Sequence, residues 1–348
     1  MKTAEIESCT EQENGALQTS FPERSLPEFA ATRILLVGTG NLAVRVAEEL
    51  ARNRDRLIIA GVLDSSPQSD LAARFPEVPL LGRIDRLQRV VLEQCIDEVH
   101  VALPLKRSDG FAPLLDQLRE LGIPVKFHLP LSSTDVVIAD FNRHPATGAM
   151  LRRTKRVLDL TLALTAVIPL APVFILIGLA ILLTSSGPVF FRQQRVGLGR
   201  RQFGMLKFRT MVKNAEELHP YVQSLNNARG ISFKVFRDPR VTRVGAILRR
   251  SSLDELPQLF NVIRGEMSLV GPRPIPVWVA EQLEQIAYMR RFTVMPGLTG
   301  LWQVEGREQD FDKMATQDLR YIDNWSLGFD LKILARTLPA VLKGEGAH

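Results

Sequence analysis

Two adjacent acids, Asp254 and Glu255, stand in "RRSSLDELPQLFNVIRGEMSLVGPRP" (residues 249–274), a stretch that is otherwise basic, apolar or broken by proline. Ser252-x-x-Glu255 has the form of a capping box ahead of the apolar "LPQLFNVI", in which Glu255 would only satisfy the Ser252 N–H. Pro257 argues against that use. With Ser252 as the cap, the proline falls past the first turn, where its missing N–H and its ring disturb a helix. A later start places both acids at the helix N-terminus, where backbone dipoles favour ionised carboxylates. An ionised pair among Arg249, Arg250, Arg264 and Arg273 suits metal-assisted phosphoryl chemistry. The arginines bind phosphate oxygens in fork geometry, a Mg²⁺ held by one acid neutralises a leaving diphosphate, and the other acid attacks. At this point capping and chemistry both remain open.

The elements that must position these acids lie in a chain of 348 residues, a length that suggests two domains. The formal charge of +6 is segregated, with 22 Lys and Arg against 9 Asp and Glu between residues 151 and 300. Such a block points to an anionic partner: nucleic acid, phospholipid head groups or a phosphorylated substrate. Cys9 and Cys95 are the only cysteines and form neither a disulfide framework nor a metal-ligand spacing, as in a reducing compartment. Residues 1–30 are polar, lack the basic start and apolar run of a secretory signal, and read as a disordered tail.

Order is expected from "ATRILLVGTGNLAVRVAEEL", where a short apolar run enters Gly38-x-Gly40-x-x-Ala43 and a helical pattern. A second strand, "RLIIAGVLD", ends in Asp64, and "DEVHVALP", "FAPLLDQLREL" and "IPVKFHLP" continue a β-α-β alternation. Residues 31–147 thus read as an α/β Rossmann-like domain, with Gly38, Gly40 and Asp64 as the nucleotide-binding candidates. A glycine turn also serves strand-to-helix packing in an empty copy, so the ligand, a nucleotide or dinucleotide, stays undetermined.

From Leu160 to Phe191 no side chain is ionisable, a run longer than the ~20 apolar residues that cross a bilayer. Pro169 and Pro172 break it near the middle into halves of about 15 Å, each reaching mid-bilayer. Arg152, Arg153, Lys155 and Arg156 precede the run, and Arg192, Arg195, Arg200 and Arg201 follow it. Basic residues gather on the cytoplasmic side, so symmetric flanks predict a re-entrant hairpin over residues 148–191. A kinked full span and a buried core helix are the alternatives. Beyond it, "FRQQRVGLGRRQFGMLKFRTM" predicts strand, turn and strand delivering Lys207 and Arg209 to one side, where lipid head groups and substrate phosphates compete with a merely solvated face. "PGLTGLWQVEGR" reads as turn, apolar strand and turn, with Gly297, Gly300 and Gly306 permitting close backbone approach. In "PVWVAEQLEQIAYMRRF", Trp278, Tyr288, Met289 and Phe292 fit either an interfacial helix or the core.

These residues carry a resemblance. "KRVLDLTLAL", the proline-broken apolar helix, "VFFRQQRVGLGRRQFGMLKFRTM", "LRRSSLDELPQLFNVIRGEMSLVGPRP" and "VMPGLTGLWQVEGR" follow one another as in the bacterial sugar transferases, the monotopic polyprenyl-phosphate phosphoglycosyl transferases. The resemblance runs from about Arg153 to Lys343. It implies that Asp254 is the nucleophile, that Glu255 binds Mg²⁺, and that Arg249 and Arg273 bind phosphate near the membrane face. Gln303 and Arg307 fall on the nucleotide-sugar side, and the helix containing Ala171-Pro172 is re-entrant. Ala171 stands where the family commonly has serine, with Pro169 as a possible substitute at the break. The implied fold is an α/β Rossmann-like N-terminal domain plus a mainly helical (α+β) membrane-associated catalytic domain at residues 192–348. The implied partners are a UDP-sugar, undecaprenyl phosphate and membrane lipid at the cytoplasmic face of the bacterial inner membrane, with no nucleic acid and with homodimerisation left open. Two rival readings were weighed: a membrane-anchored NAD(P)-dependent nucleotide-sugar dehydratase or epimerase, and a non-enzymatic membrane-surface adaptor. The first needs Tyr-x-x-x-Lys, yet Tyr221, Tyr288 and Tyr321 are followed four residues on by Leu225, Phe292 and Trp325.

Overall fold

The computed structural model describes residues 32–343 except 39, 53–56, 65–70, 72–73, 104–113, 119–121, 131–135, 142–148, 216, 219–237, 284–285 and 307–309. The expected N-terminal tail and Arg307 lie outside the described residues.

The N-terminal domain is an α/β sheet unit. Strands β1 (Thr32–Val37), β2 (Leu57–Leu63), β3 (Leu80–Gly82), β4 (Glu98–Val101), β5 (Val125–Pro130) and β6 (Val136–Phe141) form one sheet in the order β3-β2-β1-β4-β5-β6. All its pairings are parallel except β5 with β6. Both faces are covered, which is why the buried part of β1, Ile34 to Val37, is continuously apolar instead of alternating. Ile34 and Leu36 pack on α1 (Asn41–Ala51), and Leu35 and Val37 pack on α2 (Leu87–Glu93).

A single helix, α3 (Ala149–Thr184), carries the chain into the second domain and contains both prolines. At 1.5 Å per residue its 36 residues extend about 54 Å. One face packs along the protein. Ala163, Ala166, Val167 and Leu170 join one core cluster, and Val173, Phe174, Ile177 and Ile181 join another. Pro169, Ala171 and Pro172 fall at the boundary between these stretches and are exposed. The opposite face is an uncovered apolar surface, with Ile168 75%, Leu176 66% and Leu183 85% exposed. This is the one described helix long and apolar enough to cross a membrane. A soluble core helix would bury such a face, so the buried-core alternative fails.

The base of α3 is fastened by polar residues on about one turn. Lys155 Nζ donates to Asp330 Oδ2 at 2.5 Å and lies 3.8 Å from Asp159. Asp159 accepts from Ser268 Oγ at 2.7 Å, and Asp330 accepts from Tyr321 Oη and Trp325 Nε1. Arg156 donates to the carbonyls of Val262 and Ile263 at 2.5 and 2.9 Å. These carbonyls lie in the last turn of the helix Gln258–Arg264, where a cation complements the helix dipole.

After α3, β7 (Phe190–Val196) and β8 (Gln202–Phe208) form the predicted hairpin, with α4 (Arg243–Arg250), α5 (Gln258–Arg264) and β9 (Ser268–Val270) next. Strand β10 (Ile275–Pro276) adds to β7, then come α6 (Val277–Ala280) and α7 (Ile286–Met289). Strand β11 (Gly297–Thr299) pairs with β9 and is followed by α8 (Leu301–Val304), α9 (Phe311–Asp323) and α10 (Leu327–Lys343). The domain is mainly helical with small sheets. Two local expectations change. "LWQV" is a helical turn, because only Gly297–Thr299 finds a strand partner. The aromatic segment before residue 293 splits into α6 and α7, with Met289 and Phe292 in the core and Trp278 41% exposed.

The two domains touch at the β7–β8 turn, where Arg200 donates to the Val91 carbonyl and Arg201 pairs with Asp97 at 2.6 Å.

Replacing Lys155 by methionine leaves the buried Asp330 carboxylate without its cation. Removing one member of a buried pair costs about 3 kcal/mol or more, so Lys155→Met should unfold at clearly lower denaturant concentration in detergent, while Arg152→Met, on the exposed face of α3, should not.

Candidate active site

Asp254 and Glu255 sit on a single 3-10 turn, Leu253–Glu255, between α4 and α5. Ser252 enters it in the left-handed region, φ 55°, and its side chain makes no capping bond. The capping box is therefore absent. Pro257 occupies the N-cap position of α5, so the helix starts late and both acids precede it. The turn docks through Leu253 and Leu256 onto the second half of α3, in a cluster with Phe208 and Leu248.

Glu255 is the centre of an ion cluster. Lys207 Nζ, from β8, and Arg273 Nη2, from the loop after β9, reach its Oε1 at 2.9 and 2.8 Å. Burial pushes this carboxyl up, but Arg273 and Lys207 outweigh it and hold it well below the usual carboxylate range. Asp254, 8% exposed, has no hydrogen bond or ion pair among the described residues. Burial raises its pKa, and the neighbouring Glu255 charge adds to that, against Lys207, Arg249 and Arg273. The adjacent acids are thus set apart: one firmly ionised and clamped, one desolvated and without a direct partner, as expected where two carboxylates take different roles.

Arg249 does not touch Asp254; its Nε donates to Thr210 Oγ1 at 2.9 Å, which aligns α4 with the end of β8. Arg273 lies over the Trp302 ring at 5.8 Å. Arg209 turns away from the acids to bond Ser185 O and Oγ at 2.8 Å, closing the end of α3. Arg250 and Arg264 are exposed and take no part in the cluster. Gln303 is buried beside Gly300, whose position against Gly271 O leaves no room for a Cβ.

Arg195 was legible only as part of a basic flank. Burial and the nearby Arg273 push it down to about 9, so it remains cationic at neutral pH and faces Glu255. It donates to Pro274 O at 3.0 Å and to Gln193 Oε1 at 2.7 Å. The buried Arg291 and Asp318 pair was also missed, because its members are 27 residues apart in sequence.

No group of three or more His, Cys, Asp and Glu side chains that could hold a metal occurs among the described residues. Two carboxylates fit Mg²⁺ when substrate phosphates complete its shell, since this ion commonly takes one or two protein carboxylates.

In the N-terminal domain Gly38, φ 116°, packs so that a Cβ would collide with Ala102 O, which is an architectural reason for glycine. Gly40 opens the α1 N-terminus with nothing within 4 Å of its Cβ direction. Asp64 follows β2 and is 7% exposed. These three share the carboxyl edge of the sheet, where strand order reverses beside β1.

A differentiated acid pair under cationic side chains, built against an apolar membrane-type helix, defines a membrane-associated enzyme site. Residues 150–344 match the bacterial sugar transferase family, and the chain belongs to it. Residues 26–128 match a CoA-binding domain. The chain is 33% identical over 337 residues to UDP-glucose:undecaprenyl-phosphate glucose-1-phosphate transferase of Xanthomonas campestris pv. campestris, covering 91% of this chain and 68% of the relative. It is 41% identical over 301 residues to galactosyl transferase CpsE of Streptococcus agalactiae, covering 82% and 66%. Undecaprenyl-phosphate galactose phosphotransferase of Salmonella typhimurium is 41% identical over 204 residues, 57% of this chain and 42% of that protein.

Because the Ser252 side chain caps nothing, Ser252→Ala should change stability little, whereas loss of a working N-cap to alanine costs about 1 kcal/mol. Thermal unfolding of the purified variant distinguishes the two; a clear drop would restore the capping role.

Proposed function

We propose that this enzyme transfers a sugar 1-phosphate from a UDP-sugar to undecaprenyl phosphate, releasing UMP, as the first step of a lipid-linked glycan. The observation that carries the reading is the pairing of a desolvated Asp254 with a clamped, ionised Glu255 at the flank of α3. The printed activities of the relatives from Xanthomonas and Salmonella support the donor and acceptor classes.

In the proposed sequence an Asp254 carboxylate oxygen attacks the β-phosphorus, and the bond from that phosphorus to the bridging oxygen breaks. UMP leaves with the electron pair, and a phosphoglycosyl-aspartate remains. An undecaprenyl phosphate oxygen then attacks the same phosphorus and expels the Asp254 carboxylate, giving the lipid diphosphate sugar. Splitting the transfer in this way produces ping-pong kinetics. Desolvation makes Asp254 a stronger nucleophile once ionised, because no solvent shell or paired cation must be stripped from it. Lys207, Arg273 and Arg195 supply the positive field for the diphosphate, and Arg249 adds its charge near Asp254. Mg²⁺, held by Glu255 and substrate oxygens, would neutralise the leaving phosphate.

The apolar outer face of α3, its central prolines and its two basic flanks support a re-entrant insertion from the cytoplasmic face, where nucleotide sugars are made. Gly38, Gly40 and Asp64 support a Rossmann-like nucleotide site in the first domain, and the match to a CoA-binding domain makes CoA one ligand to test. A non-enzymatic adaptor would release no UMP.

Purified protein should release UMP from one member of a UDP-sugar panel before acceptor is added, with a sugar-phosphate mass adduct on Asp254. Asp254→Asn should remain folded, form no adduct and turn over near background. Near-normal turnover by that variant would defeat the covalent mechanism. Activity should fall as acidity protonates Asp254, and the raised pKa places this limb of kcat/KM above the ordinary 3.8. Single cysteines placed in the N-terminal domain and near residue 340 should both resist a membrane-impermeant thiol reagent in intact cells; labelling of only one would establish a full span.

A further inference from the structure

The segment that presents Arg273 is Gly271-Pro272-Arg273-Pro274. Its two prolines have no N–H, so the loop cannot secure itself by donating hydrogen bonds there. It is held by its carbonyls instead. Pro272 O accepts from the Gly297 N–H at 2.9 Å, Arg273 O from Arg291 Nη2 at 2.9 Å, and Pro274 O from Arg195 Nη1 at 3.0 Å. The same Arg291 nitrogen donates to Asp318 Oδ2 at 2.5 Å. Asp318 therefore holds the guanidinium that in turn holds Arg273 by its main-chain carbonyl. Both side chains are buried, 2% and 1% exposed, and Arg291 also lies over the Phe311 ring at 5.5 Å.

We infer that Arg291 and Asp318 are positioning residues for the reaction: they fix the Arg273 backbone so that its guanidinium stays on Glu255 and its charge stays near Asp254. The pair is well suited to the task. Its charges cancel each other, so Arg291 orients the loop without competing for Glu255. Its distance from the acids in sequence hides it, since Asp318 lies on α9, 64 positions beyond Asp254. This inference rests on the transferase reading above.

The test replaces the pair by apolar residues of similar volume, Arg291→Met with Asp318→Leu, a change that buried ion pairs often tolerate without loss of stability. With Arg273 no longer fixed, kcat/KM should fall about tenfold or more. In an Arg273→Ala background the same pair of changes should cost little more, because the pair acts through Arg273. Asp318→Asn, which retains shape, should show the same direction of change to a smaller extent and serves if the double variant does not fold. A folded variant with wild-type kcat/KM overturns the inference, as does an equally large further loss in the Arg273→Ala background, which would mean a merely structural role. Wild-type protein run in parallel separates the two ideas. No UMP release from any UDP-sugar by wild type defeats the transferase reading, whereas an active wild type beside an unaffected variant defeats the positioning role.

Discussion

One carboxylate oxygen, Glu255 Oε1, receives both Lys207 and Arg273, and these come from three separate parts of the catalytic domain. Lys207 is on a hairpin strand, Arg273 on a proline-framed loop, and Glu255 on the turn between two short helices. A buried charge costs several kcal/mol unless its partners are held in good geometry. That requirement propagates outward. The hairpin must keep its register, the loop must be secured through its carbonyls, and the turn must be pinned between helices. Asp254 benefits as the neighbour left over: the cations that could neutralise it by contact are committed elsewhere, so it stays desolvated but within their field.

The membrane helix belongs to the same mechanical unit. Arg156 grips the C-terminal carbonyls of α5, the helix whose other end follows the acid pair, while Lys155 and Asp159 bind residues of β9 and α10. Leu253 and Leu256 then seat the acid turn on the distal half of α3. The acids are thus referenced to the apolar helix at both ends of α5. For the transfer proposed above, between a soluble sugar nucleotide and a lipid phosphate, a fixed position of Asp254 relative to this apolar helix is as necessary as its charge.

Much of this was legible in the sequence, for reasons that differ by element. The α/β alternation and the β7–β8 hairpin are local patterns, and each formed where its period and turn residues put it; the apolar segment is helical as well, but it runs through Pro169 and Pro172 as one helix rather than as two halves. Pro257 correctly weighed against the capping box, because a covalent restriction on φ acts regardless of context. The helical "LWQV" was misread as strand, since so short a run carries no period and only the partner strand β9, which ends at Val270, decides the matter. Arg249 and Arg209 were recognised as cations, yet their targets, Thr210 and Ser185, depend on tertiary packing. The Arg291–Asp318 pair gave no signal, because a buried ion pair between distant segments has no sequence spacing, and Arg195 showed only as part of a basic flank.

The positive charge of the middle block has a sharper meaning once its hydrogen bonds are known. Arg156, Arg195, Arg200, Arg209 and Arg291 all donate to backbone carbonyls. A carbonyl orients a guanidinium without cancelling its charge, whereas a carboxylate would do both. Of these five, only Arg291 also has a buried carboxylate as an ion-pair partner in the described structure. The arginines therefore work as fasteners and still leave the catalytic domain electropositive. That combination suits a site whose substrates are phosphates: a framework tied together by carboxylates would hold its shape equally well, but it would have spent the field that draws those substrates in.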